Sequence, residues 1–546
     1  MAVLLEPVVP DNLATQRAKS FSQQVSWSQS LSFHALLDDE VCKYNYSGDG
    51  TDDMPYIMEY LPKDHEDAMG FSTGRKWAIA VSQSFAAFAV TFASSAYASG
   101  IEGVMNGFGV SEEVATLGLS LYVLGFALGP LIWAPLSEQY GRKSIFLISH
   151  TGYTVLSVAA IFAPNDTALL VLRFFASAFG SSTLTNTGAV IADMFRKEER
   201  GLATGLFVTA PFLGPALGPI AGGFLDETRG WRWILRLNAI LGGVTLATAI
   251  LTTYETYGPF ILRRRATALS RKTGSVFVSI MDIGKPPQKL LRELSVSLTR
   301  PWIFLFYEPI VLLTSIYISI IYGTLYMLFS AFPLVFQVAR GWSQGTAGLP
   351  FAGVAVGVLL ATLAAGVDNK RYVRICLEAK SKGHAVMPEA RLRIAMAGAV
   401  ILPIGLFLFA WTTYPWVHWI LSVLGATLFG CGLVMVFISL ISYLVDTYVI
   451  YAASVSAANS VLRSLFGTAF PLFTTYIYES LGNQWASSIP AFLALGCLPV
   501  PFLLNKYGPW IRSKCRYASE AAEVLEKINR PQMDSTGDGI NEVLEL

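Results

Sequence analysis

The stretch GPLIWAPLSEQYGRKS, residues 129–144, ends a long apolar run with a carboxylate, a glycine and two adjacent cations. Arg142 and Lys143 suit the end of a membrane span, because cations anchor helices in the headgroup layer. That interpretation leaves Glu138 unexplained, since it adds an acid to a leaflet that is itself negative. A carboxylate just past one helix end is well placed to meet the positive N-terminus of another, at about 0.3–2 kcal/mol. The stretch therefore predicts a latch between helices at a membrane surface.

The composition of the whole chain excludes an ordinary soluble protein. Of its 546 residues, 53% are hydrophobic and only 14% are charged, against about 25% charged in soluble domains. The net charge of +1 gives no global excess that would attract nucleic acid. The five cysteines are scattered, without metal-ligand or redox spacing. We expect a membrane protein with free thiols, without a cofactor or metal and without a nucleic-acid partner.

Twelve windows along the chain have the length of about 20 residues and the apolarity of a membrane span, six on each side of a cationic connector. The pattern predicts an all-α membrane protein with twelve transmembrane helices in two six-helix halves. The predicted spans are 77–99, 112–136, 144–163, 168–192, 202–225, 230–252, 302–326, 346–367, 392–413, 416–443, 450–478 and 486–506. The predicted domains are a disordered cytosolic tail (1–75), an N-terminal bundle (76–253), a cytosolic connector (254–301), a C-terminal bundle (302–507) and a cytosolic C-terminal tail (508–546).

The distribution of Lys and Arg among the loops orients these spans, because cytosolic loops carry the cationic excess. The loops on the side of Gly141 are rich in both residues, whereas four of the opposing loops contain neither. We therefore expect a multi-pass protein of the cell membrane with both termini in the cytosol. Asn165, in Asn-Asp-Thr, falls outside and is the predicted glycosylation site, unless its loop lies too near the membrane for modification.

An arginine lies within the fourth predicted span, in VLRFFASAFGSSTLTNTG at residues 171–188. Arg173 is about two turns inside the outer boundary, where an ionisable residue is costly and by default marks a pathway through the bundle interior. The alternative is that the long side chain reaches back to the outer surface. Ser177 continues the same helix face one turn further on, which favours a polar face turned inward.

The fifth predicted span contains APFLGPALGPIAGGFL, residues 210–225, with small residues and prolines that each recur every four positions. Small residues at this spacing let a neighbouring backbone approach closely, so tight packing alone is one explanation. Three prolines along the same helix are a poor choice for stability alone, because each frees a carbonyl that must find another partner. The segment therefore indicates a helix built to move as well as to pack.

These three segments and WRW (231–233) resemble, in order and position, the conserved segments of the major facilitator superfamily of secondary transporters. YETYGPFILRRRATALSRKTG, RPWIFLFYEPIVL and YLVDTYVIYAASVSAANSVLRSLFGTAFPLF are similar to its fungal 12-span drug:proton antiporter group. The likeness covers residues 70 to 510 and implies the major facilitator fold, with a central cavity between the two halves.

The resemblance also assigns roles to individual residues. It implies that Glu138 interacts with the start of helix 11 and that Arg173 takes part in proton transfer. One departure is WRWILRLNAI, where Arg236 replaces an aromatic residue of the fungal pattern. The implied gate consists of Glu138, Gly141, Arg142 and Lys143. The implied antiporter motif, which indicates export by exchange, consists of Gly214, Pro215, Gly218, Pro219, Gly222 and Gly223.

Proton antiport needs a carboxylate that loads and releases a proton near the midplane. Only Glu308 lies well inside a predicted span, although Pro309 after it makes a structural bend an equal alternative. The scarcity of buried acids argues against a polycationic cargo and favours a neutral or weakly acidic amphipathic substrate. The candidates for the substrate cavity are Arg236, Tyr317, Asn459 and Arg463.

We therefore expect a monomeric secondary active transporter of the plasma membrane. It would export small amphipathic molecules such as drugs, toxins or a fungal secondary metabolite by proton antiport with alternating access. Its partners would be this substrate, protons and the lipid bilayer. An importer of a small organic solute on the same fold is the alternative. An enzyme within the membrane is disfavoured, because His150 and His418 are isolated and no nucleophile motif occurs.

Overall fold

The computed structural model describes residues 37, 39–61, 64–196, 199–283, 290–381 and 387–529. Its helices and strands are, in chain order, α1 (Asp39–Lys43), β1 (Tyr56–Met58), α2 (Thr73–Ala96), α3 (Ile101–Phe108), α4 (Glu112–Tyr140), α5 (Arg142–Ile161), α6 (Asp166–Gly180), α7 (Ser182–Met194), α8 (Arg200–Arg229), α9 (Arg232–Thr252), α10 (Gly258–Thr273), β2 (Phe277–Ser279), α11 (Leu290–Tyr307), α12 (Pro309–Phe332), α13 (Gln344–Ala347), α14 (Phe351–Ser381), α15 (Arg393–Trp411), α16 (Trp419–Thr447), α17 (Ala452–Cys497), α18 (Pro499–Lys514) and α19 (Arg516–Asn529).

The chain divides into two units. The larger unit comprises Phe71–Tyr257 with Pro286–Leu546, and the smaller one comprises Met1–Gly70 with Gly258–Lys285. In the larger unit α2 packs on α8 and α4 packs on α6, while α12 packs on α17. The contacts between the first and second halves of this unit are made mainly by α4 with α17 and by α8 with α14.

Within the described residues, eleven helical segments are long and apolar enough to cross a membrane. Six precede the connector, as predicted. The last segment, Val449–Lys514, covers both of the final two predicted spans. Its helix α17 is interrupted at Gly482, whose backbone (φ 75°, ψ 163°) is not helical. The all-α membrane architecture is therefore confirmed, and the count of twelve spans stays a prediction.

The seventh span begins later than predicted. The sequence predicts residues 302–326, but the membrane-spanning segment is Pro309–Val338, and residues 302–307 belong to the preceding helix α11. The break falls at Glu308, which has extended backbone angles (φ −114°, ψ 99°). Pro309 explains this position, because the residue before a proline is disfavoured in the helical conformation.

The smaller unit has a parallel pair of strands, in which Tyr56, Ile57 and Met58 align with Phe277, Val278 and Ser279. Its core is formed by Val41, Tyr46, Met58, Leu262, Ala266 and Leu269. Arg265 is buried and forms ion pairs with Asp64 (2.5 Å) and Glu66 (2.9 Å). Burial alone would raise the pKa of Asp64, but the hydrogen bonds and charge of Arg265 hold that pKa below its ordinary value.

This packing differs from the expectation of a disordered tail over residues 1–75. The polar run SGDGTDD (47–53) dominates the local composition, whereas the apolar residues that cover the tail come from the connector, far away in the sequence. Residues 1–36 and 530–546 of the two tails, and 284–289 of the connector, lie outside the described residues. The described part of the C-terminal tail is helical as far as Asn529.

Candidate functional site

The gate predicted between the second and third spans is built around the buried side chain of Arg142. Its Nη1 donates to Ser137 Oγ (2.5 Å), and its guanidinium lies 3.7 Å from Asp193 Oδ2 and 4.7 Å from the ring centre of Tyr257. Gly141, with φ +88°, provides the left-handed turn that lets α5 start directly after α4. Arg142 therefore ties together the ends of α4, α7 and the segment after α9.

Sequence reasoning missed Glu255, which caps the third span. Glu255 Oε1 accepts from Arg142 N (2.9 Å) and Oε2 from Lys143 N (3.2 Å), while Oε1 also accepts from the amides of Thr256 and Tyr257. These contacts satisfy orphan donors at the N-terminus of α5, where a negative charge is favourable. Burial raises the pKa of the Glu255 carboxyl above its ordinary value, although the four amide hydrogen bonds oppose the rise. The only sequence signal was its place in YETYGP, just after the sixth span.

Glu138, the residue that the sequence assigns to a latch, lies on the other side of Arg142. Its Oε1 is 3.8 Å from Arg142 Nη2, and about half of its side chain is exposed. Glu255, in the loop after α9, is an acid of this gate that does meet a helix N-terminus, that of α5. A contact of Glu138 with the start of helix 11 stays a prediction.

The small residues of the fifth span face the first span. A Cβ added to Gly214 would lie 2.7 Å from Phe92 N, and one added to Gly218 would lie 2.7 Å from Ala96 N, so only glycine permits this backbone approach. Gly223 approaches the second half of the molecule in the same way, because a Cβ added to it would lie 2.9 Å from the carbonyl oxygen of Gln344. Pro215, Pro219 and Gly222 of the motif are buried in the same helix.

The first half also forms hydrogen bonds at both ends of its spans, with the second half at one end and with the connector helix α11 at the other. At the predicted outer end, Gln344 Nε2 donates to Asp226 Oδ2 (2.6 Å) and Gly345 N donates to Glu227 Oε2 (2.7 Å). At the predicted cytosolic end, Gln139 Nε2 donates to Glu293 Oε2 (2.7 Å). The space between the halves is correspondingly small in this conformation.

Arg173 points into the bundle and not toward the outer surface. It is buried, with Nε donating to Gly118 O (2.8 Å) and Nη2 to Ala93 O (3.3 Å). Its guanidinium lies 4.0 Å from the ring centre of Tyr97 and 4.8 Å from that of Tyr122. The alternative of a snorkelling side chain is therefore wrong for this structure. Ser177 is buried on the same face.

Glu308 does not lie two turns inside a span, as the sequence predicts, but directly before the first residue of the seventh. It is fully buried, and its two carboxylate oxygens accept from the hydroxyl of Tyr448 (2.7 Å) and the backbone amide of Tyr517 (2.9 Å). Tyr517 is the second residue of α19, so Glu308 contacts the N-terminus of that helix. The wrong prediction arose because residues 302–307 are apolar and read as part of the span.

The four residues predicted for the substrate cavity lie in different places. Asn459 is buried and donates to Ser315 Oγ (3.3 Å), and Arg463 lies one turn beyond it on α17. Tyr317 is also buried, but it does not line the cavity that its neighbour Ile318 lines. Arg236 is exposed, with its guanidinium 4.6 Å from the ring centre of Trp233 near the outer end of α9, so its assignment to the cavity is wrong.

A cavity of about 10 Å³, large enough for about one water molecule, lies between the halves beside Arg463. It is lined by Phe212, Ile318, Ile321, Tyr322, Leu433 and Phe437. The Tyr322 hydroxyl donates to Tyr326 (3.4 Å), whose hydroxyl shares a hydrogen bond with Ser94 Oγ (3.0 Å) in the first span. These two hydrogen bonds link Tyr322 in the cavity wall to Ser94 in the first half.

Asn165 is exposed and accepts a hydrogen bond from Ala168 N (2.8 Å), which makes it the N-cap of α6. The cap places Asn165 directly at the start of a membrane segment. No group of three or more His, Cys, Asp or Glu side chains in the described ranges has the arrangement of a metal site.

Comparisons with known proteins bear on this arrangement. Residues 83–471 match the family model described as Major Facilitator Superfamily. The efflux pump FUB11 of Gibberella moniliformis is 54% identical, over 92% of this chain and 84% of its own. The Aspergillus fumigatus multidrug transporter mdrA is 47% identical over 97% of this chain and 88% of its own. MFS2 of Trichophyton rubrum, an MFS-type efflux pump, is 49% identical over 95% of this chain and 87% of its own.

Two solved structures are similar in fold. The proton:xylose symporter XylE has a TM-score of 0.55 at 14% identity, over 80% of this chain and 96% of its own. The human organic anion transporter MFSD10 has a TM-score of 0.52 at 16% identity, over 82% of this chain and 100% of its own. At these identities the likeness concerns the fold alone.

Proposed function

Because the chain belongs to the major facilitator superfamily, and is a multi-pass membrane transporter and not an enzyme, we propose that it exports small amphipathic molecules by proton antiport. The observation that carries export is the 54% identity with a protein named as an efflux pump, over most of both chains. The intact glycine and proline ridge of α8 supports exchange as the mode of export.

Alternating access is supported by the contacts that close each end of the cavity. The outer contact joins Asp226 and Glu227 of the first half to the loop residues Gln344 and Gly345 of the second. The contact at the other end joins Gln139 to Glu293. Each involves a carboxylate and few hydrogen bonds, so each can break when the halves rock and re-form on return.

Proton coupling is proposed for Arg173 and Glu308. A buried cation between two tyrosine rings, hydrogen-bonded to backbone carbonyls of two other helices, responds to any shift of those helices. A proton on Glu308 would disturb its contacts with Tyr448 and with the start of α19, and would so link protonation to movement at that end of the second half. The gate residues Glu138, Gly141, Arg142 and Lys143 complete the proposed machinery.

The remaining features follow from this assignment. We place the protein in the plasma membrane as a monomer, with both termini in the cytosol and Asn165 on the outside as a glycosylation acceptor. The cargo is a drug, a toxin or a secondary metabolite of neutral or weakly acidic character.

The test is efflux of the neutral dye Nile red from proteoliposomes with an imposed proton gradient. Export against the dye gradient that collapses when a protonophore is added is the expected result. Arg173→Ala should abolish this coupled export while the protein stays folded and inserted. Dye movement that follows only its own gradient, unaffected by the protonophore, would overturn proton antiport and favour a facilitator.

A further inference from the structure

Arg463 lies deep within the last membrane-spanning segment. Helix α17 begins at Ala452, so a rise of about 1.5 Å per residue puts Arg463 about 16 Å into the helix, which is half of a hydrocarbon core about 30 Å thick. A cation at this depth is costly unless something compensates its charge. The groups around Arg463 therefore bear on its role.

The surroundings of Arg463 compensate this charge only in part. Its guanidinium lies 4.6 Å from the ring centre of Tyr322 and 5.3 Å from that of Phe437. Its only hydrogen bond within the described chain is from Nη2 to Ser460 Oγ (3.4 Å), and its buried Nε has no partner. No acidic side chain in the described ranges forms an ion pair with it.

Three other arginines of the larger unit are matched by acids or carbonyls. Arg391 pairs with Asp446 (2.9 Å) and Arg512 with Glu389 (3.0 Å). Arg340 donates to three backbone carbonyls. Arg463 differs from these in having neither an acidic partner nor a backbone carbonyl acceptor among the described residues, so its guanidinium can accommodate an anion from outside the chain.

The cavity next to Arg463 fits the apolar part of such an anion. All six of its lining residues are aromatic or branched aliphatic, and the two rings on which the guanidinium lies, Tyr322 and Phe437, belong to that lining. Phe212 from the first half packs on Phe437 (ring centres 4.9 Å apart), so the cavity is shared by both halves. An apolar pocket with one convergent polar group is typical of a ligand site.

We propose that Arg463 binds the carboxylate of an amphipathic weak-acid substrate, whose apolar body occupies the cavity lined by Tyr322 and Phe437. The proposal rests on the proposed export function and names the substrate class. A single planar guanidinium matches one carboxylate in a two-point hydrogen bond. A phosphate of charge near −2 would need a second cation, and none lies among the residues that line this cavity. Because the cavity holds only about one water in this conformation, the halves must separate to admit the substrate.

The experiment compares 1-naphthaleneacetate with its neutral amide as competitors of Nile red export by the full-length protein in proteoliposomes. The two competitors share the apolar body and differ only in charge. We expect the carboxylate to compete at least about tenfold better than the amide in the wild type, as charge-assisted hydrogen bonding implies. In Arg463→Gln the ratio of the two affinities should fall to about one, and Arg463→Lys should retain part of the preference.

Arg229→Gln, at an exposed arginine at the end of α8, is the matched control and should leave the ratio unchanged. A wild type without preference for the carboxylate, or an Arg463→Gln variant that keeps it, overturns the proposal. If Arg463→Gln does not fold, the ratio of the affinities for the carboxylate and the amide is measured by equilibrium binding to the purified wild type and to Arg463→Lys. An undiminished preference for the carboxylate in Arg463→Lys then overturns the proposal. A wild type that exports no Nile red at all contradicts the proposed export function, while the binding ratio still tests the Arg463 site.

Discussion

Replacing Glu255 by alanine should loosen the start of the third membrane helix. Glu255 accepts hydrogen bonds from the amides of Arg142 and Lys143 in the first turn of α5, and from Thr256 and Tyr257 in its own loop. Alanine removes all of these acceptors at once. Since Arg142 is buried, water cannot readily replace the lost carboxylate.

The expected cost follows from the two helix amides. A buried donor left without an acceptor costs about 1–3 kcal/mol, so two of them give about 2–6 kcal/mol. Glutamine at the same position keeps one carbonyl acceptor and removes a buried charge whose pKa burial has raised. One of the two helix amides then still loses its acceptor, so Glu255→Gln should cost about half as much as Glu255→Ala, about 1–3 kcal/mol.

Hydrogen exchange of the peptide that covers residues 140–147 measures this cost directly, because its rate reports the free energy of local opening. Glu255→Ala should accelerate exchange there by about 30-fold to about 20,000-fold, at about 1.4 kcal/mol per factor of ten. The first turn of α6, capped by Asn165, should be unaffected and serves as an internal reference. Glu113→Gln, at an exposed glutamate near the start of α4, is the matched control.

An exchange rate of the 140–147 peptide that changes less than about twofold in Glu255→Ala would refute the reasoning. It would mean that the start of α5 is held by Arg142 and Ser137 alone. Equal acceleration in the alanine and glutamine variants would instead assign the stabilisation to the charge of Glu255 and not to its acceptor atoms.

Three further perturbations test other contacts. Gly218→Ala should lower the thermal stability of the purified protein, because its Cβ would meet the backbone of the first span. Gly243→Ala is the control and should have no such effect, because the space around Gly243 is open. Equal effects of the two substitutions would contradict the packing argument. Arg173→Lys should reduce proton-coupled efflux at least about tenfold, because a lysine cannot reproduce the two carbonyl contacts and the flat packing between two tyrosines. Full activity of this variant would mean that Arg173 only packs and takes no part in coupling. Arg265→Met should destabilise the smaller unit by about 3–5 kcal/mol at pH 7, measured by limited proteolysis. Arg263→Met, at a partly exposed ion pair, should destabilise it by less than about 1 kcal/mol. Because Arg265 lowers the pKa of Asp64, this difference should be present above the ordinary carboxyl pKa and shrink as the pH falls through the lowered value.

The spans and their grouping were predictable from sequence, because apolarity over 20 residues is a local property. The inward orientation of Arg173 also followed, since Ser177 on the same face gave a second local signal. Arg236 had no such signal. One turn from the end of its helix, an arginine can be placed inward or outward with equal ease, and only packing decides.

Where the sequence missed or misplaced a feature, the deciding residue was either distant in the sequence or a single proline. Nothing in the sequence around residues 138–143 indicates that Glu255, more than 100 positions away, caps the third span. The position of Glu308 was read from apolar residues before it, but Pro309 ends the preceding helix and moves the boundary. The fold of residues 41–61 depends on α10, which a local window cannot include.

The strand pair of the smaller unit also sets an order of events during synthesis. Met58 leaves the ribosome roughly 220 residues before its partner Ser279, an interval of about 10–45 s at ordinary elongation rates. All six spans of the first half are made within that interval. The N-terminal segment must wait unpaired until they have been translated, so the closed sheet marks a nascent chain whose first six spans have already been synthesised.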